Sequence, residues 1–142
     1  MLEKAAERGV KRVLLFGHIG KLCKVAAGVF YTHNRIADAR LETIAAYAAA
    51  AGLSTAGTRR VLASNATEEA LTVLREAGLE QAVCMSIAER AGLRAERYLF
   101  GKMKVGVVMV TLQGRLLGMN EVAREIGEAY HWRLPEQERE HE

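Results

Sequence analysis

The sequence is short of several things that would define its class at once. Its 142 residues include a single proline, Pro135, and two cysteines, Cys23 and Cys84. The cysteines are far apart in sequence and match no disulfide framework or metal-ligand spacing, so they are expected to be free, buried thiols of a reducing cytoplasm. No apolar run approaches the roughly 18 residues that a membrane-spanning helix needs. The alanine-rich run Ala45 to Ala51 is too short, and Met1 to Lys11 lacks the apolar core of a signal peptide. No membrane association is expected. Repeats and low-complexity linkers are also missing, so the chain divides no further than one domain over residues 1–134 and an acidic, disordered tail over 135–142.

Half of the residues are apolar and about a quarter charged, the balance of a globular protein with a sizeable core. The net charge of +3 conceals an asymmetry. Up to Arg60 there are ten basic against four acidic residues, and beyond it ten against thirteen. The early surplus favours an anionic partner without choosing among phosphate, nucleic acid and polycarboxylate. No basic helix with interleaved aromatics accompanies it, which argues against nucleic acid.

Local patterns predict helix, strand, several helices, hairpin and helix. Leu2 to Arg8 reads as a helix stopped by Gly9, and Val13 to Phe16 as a short buried strand. Lys21 to Phe30 has helical spacing, as does the span from about Ala37 to Ala51, closed by Gly52. Ser54 to Ala63 follows, then a helix capped by Thr67, with Glu68 and Glu69 in its first turn. Leu79 to Leu99 is helix-prone, with Gly92 expected to bend or split it. Val105 to Leu112 and Arg115 to Gly118 form a hairpin about Gln113-Gly114, and Asn120 caps a last helix to about Tyr130. The fold class is α/β: a small mixed sheet of about three strands packed by several helices. So thin a sheet suggests part of a larger two-domain enzyme.

Two polar clusters interrupt this frame. In Gly17-His18-Ile19-Gly20-Lys21, two glycines free the backbone for unusual torsion angles and close approach to a ligand. The turn ends a strand and starts a helix, where unpaired N–H groups and the helix dipole favour an anion. Lys21 and Lys24 add positive charge there. The spacing of a Walker phosphate loop does not occur, since two residues rather than four separate the glycines and Leu22 follows the lysine. A dinucleotide fingerprint is absent too. The second cluster runs Thr32-His33-Asn34-Arg35-Ile36-Ala37-Asp38-Ala39-Arg40-Leu41-Glu42. Asp38 and Glu42 share a helix face, Arg40 points elsewhere, and His33 can carry a proton. A plain capped helix start and a plain tight turn would explain the two clusters equally well. Met85, Met103, Met109 and Met119 read as core, and His131-Trp132 as a surface pair.

Taken together, Gly-His-Ile-Gly-Lys-Leu-Cys-Lys-Val-Ala-Ala-Gly and the Thr-His…Ala-Asp-Ala-Arg-Leu-Glu stretch resemble the CbiD family, cobalt-precorrin-5B C1-methyltransferases of anaerobic cobalamin (vitamin B12) synthesis. The likeness continues through Ala63 to Ala70 and the late apolar strand, from about Leu2 to Trp132. Members of the family are much longer, and the chain is similar to their C-terminal portion, so an N-terminal part of the same enzyme is an expected partner. The resemblance implies a cytoplasmic enzyme that transfers a methyl group from S-adenosylmethionine to C1 of a cobalt-corrinoid substrate. The cobalt travels with the substrate, and no protein-bound metal is implied. His33 and Asp38 become the candidates for proton handling. Gly17, His18, Gly20, Lys21, Lys24, Thr32, Arg35, Arg40 and Glu42 become the candidates for binding substrate or methyl donor. The portion present need not be active alone, and self-association is left open. The competing expectation is a non-catalytic anion- or nucleotide-binding module built on the Gly17–Lys21 turn.

Overall fold

The computed structural model describes residues 1–30 and 39–131. In chain order the elements are α1 (Leu2–Glu7), β1 (Arg12–His18), α2 (Ile19–Ala26), α3 (Arg40–Ala50), α4 (Thr55–Ala63), α5 (Thr67–Glu76), α6 (Glu80–Tyr98), β2 (Lys104–Val110), β3 (Leu116–Met119) and α7 (Glu121–Tyr130). The expected α/β class, with a three-stranded mixed sheet, is what forms. No helix among the described residues is long and apolar enough to cross a membrane.

The sheet has the order β1-β2-β3. β1 and β2 run parallel with Arg12 opposite Lys104 and His18 opposite Val110, while β3 returns antiparallel to β2 with a bulge at Met109/Val110. Because a parallel pair needs a long crossover, five helices, α2 to α6, lie between the two strands in sequence. The central strand is buried from Val105 to Val110. α6 and α2 pack on one face, where Val13 and Leu15 of β1 join the main core with Ile19, Ile44, Leu71, Ile87, Val107 and Leu117. α7 packs on the other face, over a smaller cluster of Val108, Leu116 and Ala123 that Leu14 borders.

Several local expectations need correction. Among the described residues β1 is an edge strand rather than a buried one, and its Phe16 is 57 % exposed. α2 stops at Ala26 because Gly28 takes the left-handed conformation (φ +83°) that lets its N–H and that of Val29 close the last turn onto Val25 and Lys24. Val29 and Phe30 therefore lie outside the helix. Thr67 is the first residue of α5 and is buried; Ala66 occupies the cap position, and the Glu69 carboxylate accepts the Asn65 N–H at 2.9 Å instead. α6 runs unbroken through Gly92. A Cβ there would lie 2.3 Å from Asn120 Nδ2 and 3.1 Å from the Val105 carbonyl oxygen, so the glycine serves close helix–sheet approach.

Asn120 explains that approach. Its buried side chain accepts N–H groups from Val107 (2.8 Å) and Ala123 (3.0 Å) and donates to the Val105 carbonyl (2.9 Å). One amide thus caps α7 and fastens it to the inside of β2. Replacing it by alanine strands three buried backbone groups, at about 1–3 kcal/mol for each group left unpaired. Asn120→Ala should lower the unfolding free energy by about 3 kcal/mol or more in urea titrations, and Gly92→Ala should destabilise comparably by displacing the same amide. A loss below about 1 kcal/mol for Asn120→Ala would refute its role as the tie.

Candidate functional site

Because β1 and β2 are parallel, their C-terminal ends open on the same side, and four of the five crossover helices return their N-termini to that edge. α2 begins at Ile19 with no intervening loop. His18 is at once the last residue of β1 and the N-cap of α2, its Nδ1 accepting the Gly20 N–H at 3.1 Å. The acceptor role places the neutral ring's proton on Nε2. That atom faces Glu68, in the first turn of α5, with 3.7 Å between Nε2 and Oε1. Both atoms are buried, and among the described residues neither makes a hydrogen bond. Arg40, the first residue of α3, passes close to Gly20, and its guanidinium acts electrostatically on Cys23.

The fourth helix start is that of α6. Glu80 binds Arg115 through two hydrogen bonds, 2.7 and 3.1 Å, and Arg75 at 3.1–3.2 Å. Arg115 is presented by the turn after β2, where the Thr111 hydroxyl accepts its N–H at 3.1 Å and the Gly114 N–H closes on the Thr111 carbonyl at 2.9 Å. Arg115 also feels Glu68. The starts of α2, α3, α5 and α6 therefore gather at one end of the sheet. The positive ends of the helix dipoles point there, with Arg40, Arg115 and the solvent-facing Lys21 nearby. An arrangement of this kind can hold an anion, and the orphaned pair of His18 Nε2–H and Glu68 Oε1 can be bridged by a ligand hydroxyl that accepts from one and donates to the other.

The structure thus brings His18, Gly20 and Arg40 together from the expected residues. Neither Gly17 nor Gly20 adopts a left-handed conformation, contrary to the expectation of unusual torsion angles. Gly20 is required for space, since a Cβ would sit 2.9 Å from His18 Nδ1. Lys21 and Glu42 are exposed, whereas Lys24 is 1 % exposed. His33, Asp38, Thr32 and Arg35 lie outside the described residues, as do Trp132 and the tail over 135–142. No group of three or more His, Cys, Asp or Glu able to hold a metal occurs among the described residues. Glu68, Glu80, Thr111 and Arg115 are additions. Each is unremarkable in its own stretch of sequence, and their meeting depends on the crossover.

Against this geometry the chain can be placed among known proteins. The description "CbiD, C-terminal domain" matches residues 31–121. The chain belongs to the CbiD family. A relative named cobalt-precorrin-5B C(1)-methyltransferase from Moorella thermoacetica is 48 % identical over 126 residues, which are 89 % of this chain and 34 % of the relative. Proteins of the same name from Desulfitobacterium hafniense and Thermoanaerobacter sp. are 40 % and 41 % identical, over 97 % and 93 % of this chain and 36 % and 35 % of their own lengths. The chain therefore spans about a third of the length of the curated relatives it matches. No solved structure matches it.

Two measurements probe the electrostatics of this region. Burial alone would raise the Glu80 carboxyl, but Arg115 and Arg75 outweigh it and hold the group below its ordinary 4.5. A depressed folded value stabilises the native state above the ordinary value and loses that contribution as the pH falls through the folded one. Glu80→Gln should cost about 1–3 kcal/mol at pH 7 and leave a shallower fall in stability below about pH 4.5, followed by denaturant titration across pH. An unchanged acid limb would rule the ion pair out as its source. Burial also raises both thiols, Cys84 to about 12 and Cys23 further, the latter with help from Cys84. Neither should react with an aromatic disulfide reagent at pH 8 in the native protein, and both should in urea. Fast native labelling would contradict their burial.

Proposed function

We propose that this chain contributes the corrinoid-facing C-terminal portion of an S-adenosylmethionine-dependent methyltransferase that acts on C1 of cobalt-precorrin-5B in cobalamin biosynthesis. The observation that carries the reading is the gathering of four helix N-termini, Arg40 and the His18–Glu68 pair at the strand ends, in a chain of the CbiD family. A corrinoid precursor carries several acetate and propionate groups. Helix N-termini with Arg40 and Lys21 beside them suit such carboxylates, and Arg40 offers the planar fork that binds them in pairs. Arg35 is a further clamp in this reading, with Thr32 and Glu42 as polar contacts. Lys24 is sealed from solvent and is not counted among the clamps.

The donor, when bound, supplies an electrophilic methyl group on a sulfonium. The nucleophilic C1 attacks that methyl as the carbon–sulfur bond breaks, with the electron pair leaving on sulfur. The protein's task is alignment and exclusion of water, the terms that dominate such a transfer. The His18–Glu68 pair fits a donor through the bridging of a ribose hydroxyl, since it offers one N–H and one carboxylate oxygen that lack partners among the described residues. His33 and Asp38 are assigned the proton handling that follows transfer. The reading is of an intracellular biosynthetic enzyme without a resident metal.

Calorimetry with S-adenosylhomocysteine and a cobalt-corrinoid polycarboxylate tests the proposal, first with this chain and then with the N-terminal part of a relative supplied. Glu68→Gln and His18→Ala should weaken the nucleoside ligand about tenfold, the worth of one lost hydrogen bond of about 1.4 kcal/mol. Arg40→Ala should weaken the corrinoid and reduce the salt dependence of its binding. If neither ligand binds under either condition, the proposal falls. Tight phosphate binding that is lost in Lys21→Ala and indifferent to corrinoids would replace it with an anion-binding module.

A further inference from the structure

β1 ends the sheet, and among the described residues no strand pairs with its outer edge. Edge strands are usually blunted by charge, proline or a bulge, because their unpaired backbone groups will template another chain. Val13-Leu14-Leu15-Phe16 has none of these devices. On the α7 side, Phe16 is 57 % exposed although its neighbour across the ladder, Val108, is fully buried. α7 covers this face only in part. Half-buried Val122 and Ile126 continue in a row to Tyr130, which is 68 % exposed and has the Arg12 guanidinium over its ring at 5.7 Å. Tyr130 therefore lies beside the first residue of β1, and Phe16 and this row leave apolar surface on the face next to an open strand edge.

The comparison with relatives indicates what covers it. The C-terminal domain description begins at residue 31, so β1 lies on its N-terminal side. The chain aligns along 89–97 % of its length with proteins of which it matches only 34–36 %. Since the matched domain is C-terminal, the rest of those proteins precedes it. β1 stands at the junction with that part.

We infer that the outer edge of β1, with Phe16 and the Val122–Ile126–Tyr130 row, seats an apolar strand from the N-terminal part of CbiD-family proteins, which extends the sheet by strand addition. Main-chain hydrogen bonds along the edge supply the affinity, and Phe16 and the α7 row set the register by accepting alternate side chains. The inference rests on family membership and is independent of the ligand chemistry proposed above.

The test co-expresses this full chain with the N-terminal part of the 48 % identical relative, followed by light scattering and hydrogen exchange. A one-to-one complex should form, and amides of β1 should exchange at least tenfold more slowly in it than in the free chain. Phe16→Glu should weaken the complex at least tenfold while its circular dichroism stays native, and Leu62→Glu, at an exposed position on α4, should leave it unchanged. Overlapping peptides from the same N-terminal part give a second measurement that needs no folded partner; one apolar peptide should compete for β1 and lose affinity with Phe16→Glu. Absence of binding in both formats would overturn the inference. So would a complex indifferent to Phe16→Glu, or a homodimer of this chain that already protects the β1 amides. Complex formation without ligand binding would count against the proposed reaction alone.

Discussion

One buried amide holds the two faces of this sheet in their relation. Asn120 reaches back from the start of α7 to the backbone on both sides of Gly106 on the central strand, and Gly92 of α6 leaves the space into which its Nδ2 projects. α6, β2 and α7 are thereby fixed to one another at a single point. Apolar burial supplies more free energy in total, but it is indifferent to small slides of a helix over a sheet, whereas three hydrogen bonds from one planar group are not. The sheet is small enough that such a point constraint matters. Among the described residues its three strands include a single interior one, and α2, α6 and α7 all pack against β2.

That constraint reaches the candidate site through α6. Its far end is tied to β2 by Glu96, whose carboxylate accepts the Val105 N–H at 3.1 Å, and its near end by the Glu80–Arg115 pair beside the β2–β3 turn. A helix pinned at both ends and in the middle presents its first turn at a fixed height above the strand ends. α2 packs on α6 and begins directly at His18, so the His18 ring is placed by the same frame. The tight fit of Gly20 against His18 Nδ1 then leaves the imidazole little room to turn. Rigid placement of Nε2 near Glu68 suits a ligand that must be oriented rather than merely captured.

Much of this frame was legible in the sequence for local reasons. Asn120 as a helix cap, Gly9 and Gly52 as stops, and the Gln113-Gly114 turn follow from short-range backbone chemistry, and each is found in place. The family signature also isolated His18, Gly20 and Arg40, which do meet. What stayed hidden depends on distant partners. Gly92 looked like a weak point in α6 because nothing nearby reveals that Asn120, 28 positions later, occupies the space of a missing Cβ. Glu80 and Arg115 are 35 residues apart and ordinary in context. Val13 to Phe16 reads as buried because a continuous apolar run is the mark of a strand covered on both faces. The pattern records the surroundings in which a strand was selected, and those can include chain that is not among the described residues.

This last mismatch bears on how the fold and the site depend on each other. A parallel pair at the edge of a sheet is weakly supported, and the residue that ends β1 is the one that opens the candidate site. Any movement of β1 relative to β2 shifts His18 relative to Glu68, which sits on a helix that packs on α3, α4 and α6 rather than on β1. A strand added outside β1 would convert it from an edge to an interior strand and remove that freedom. The sheet edge and the candidate site thus meet in one short stretch, where β1 becomes α2.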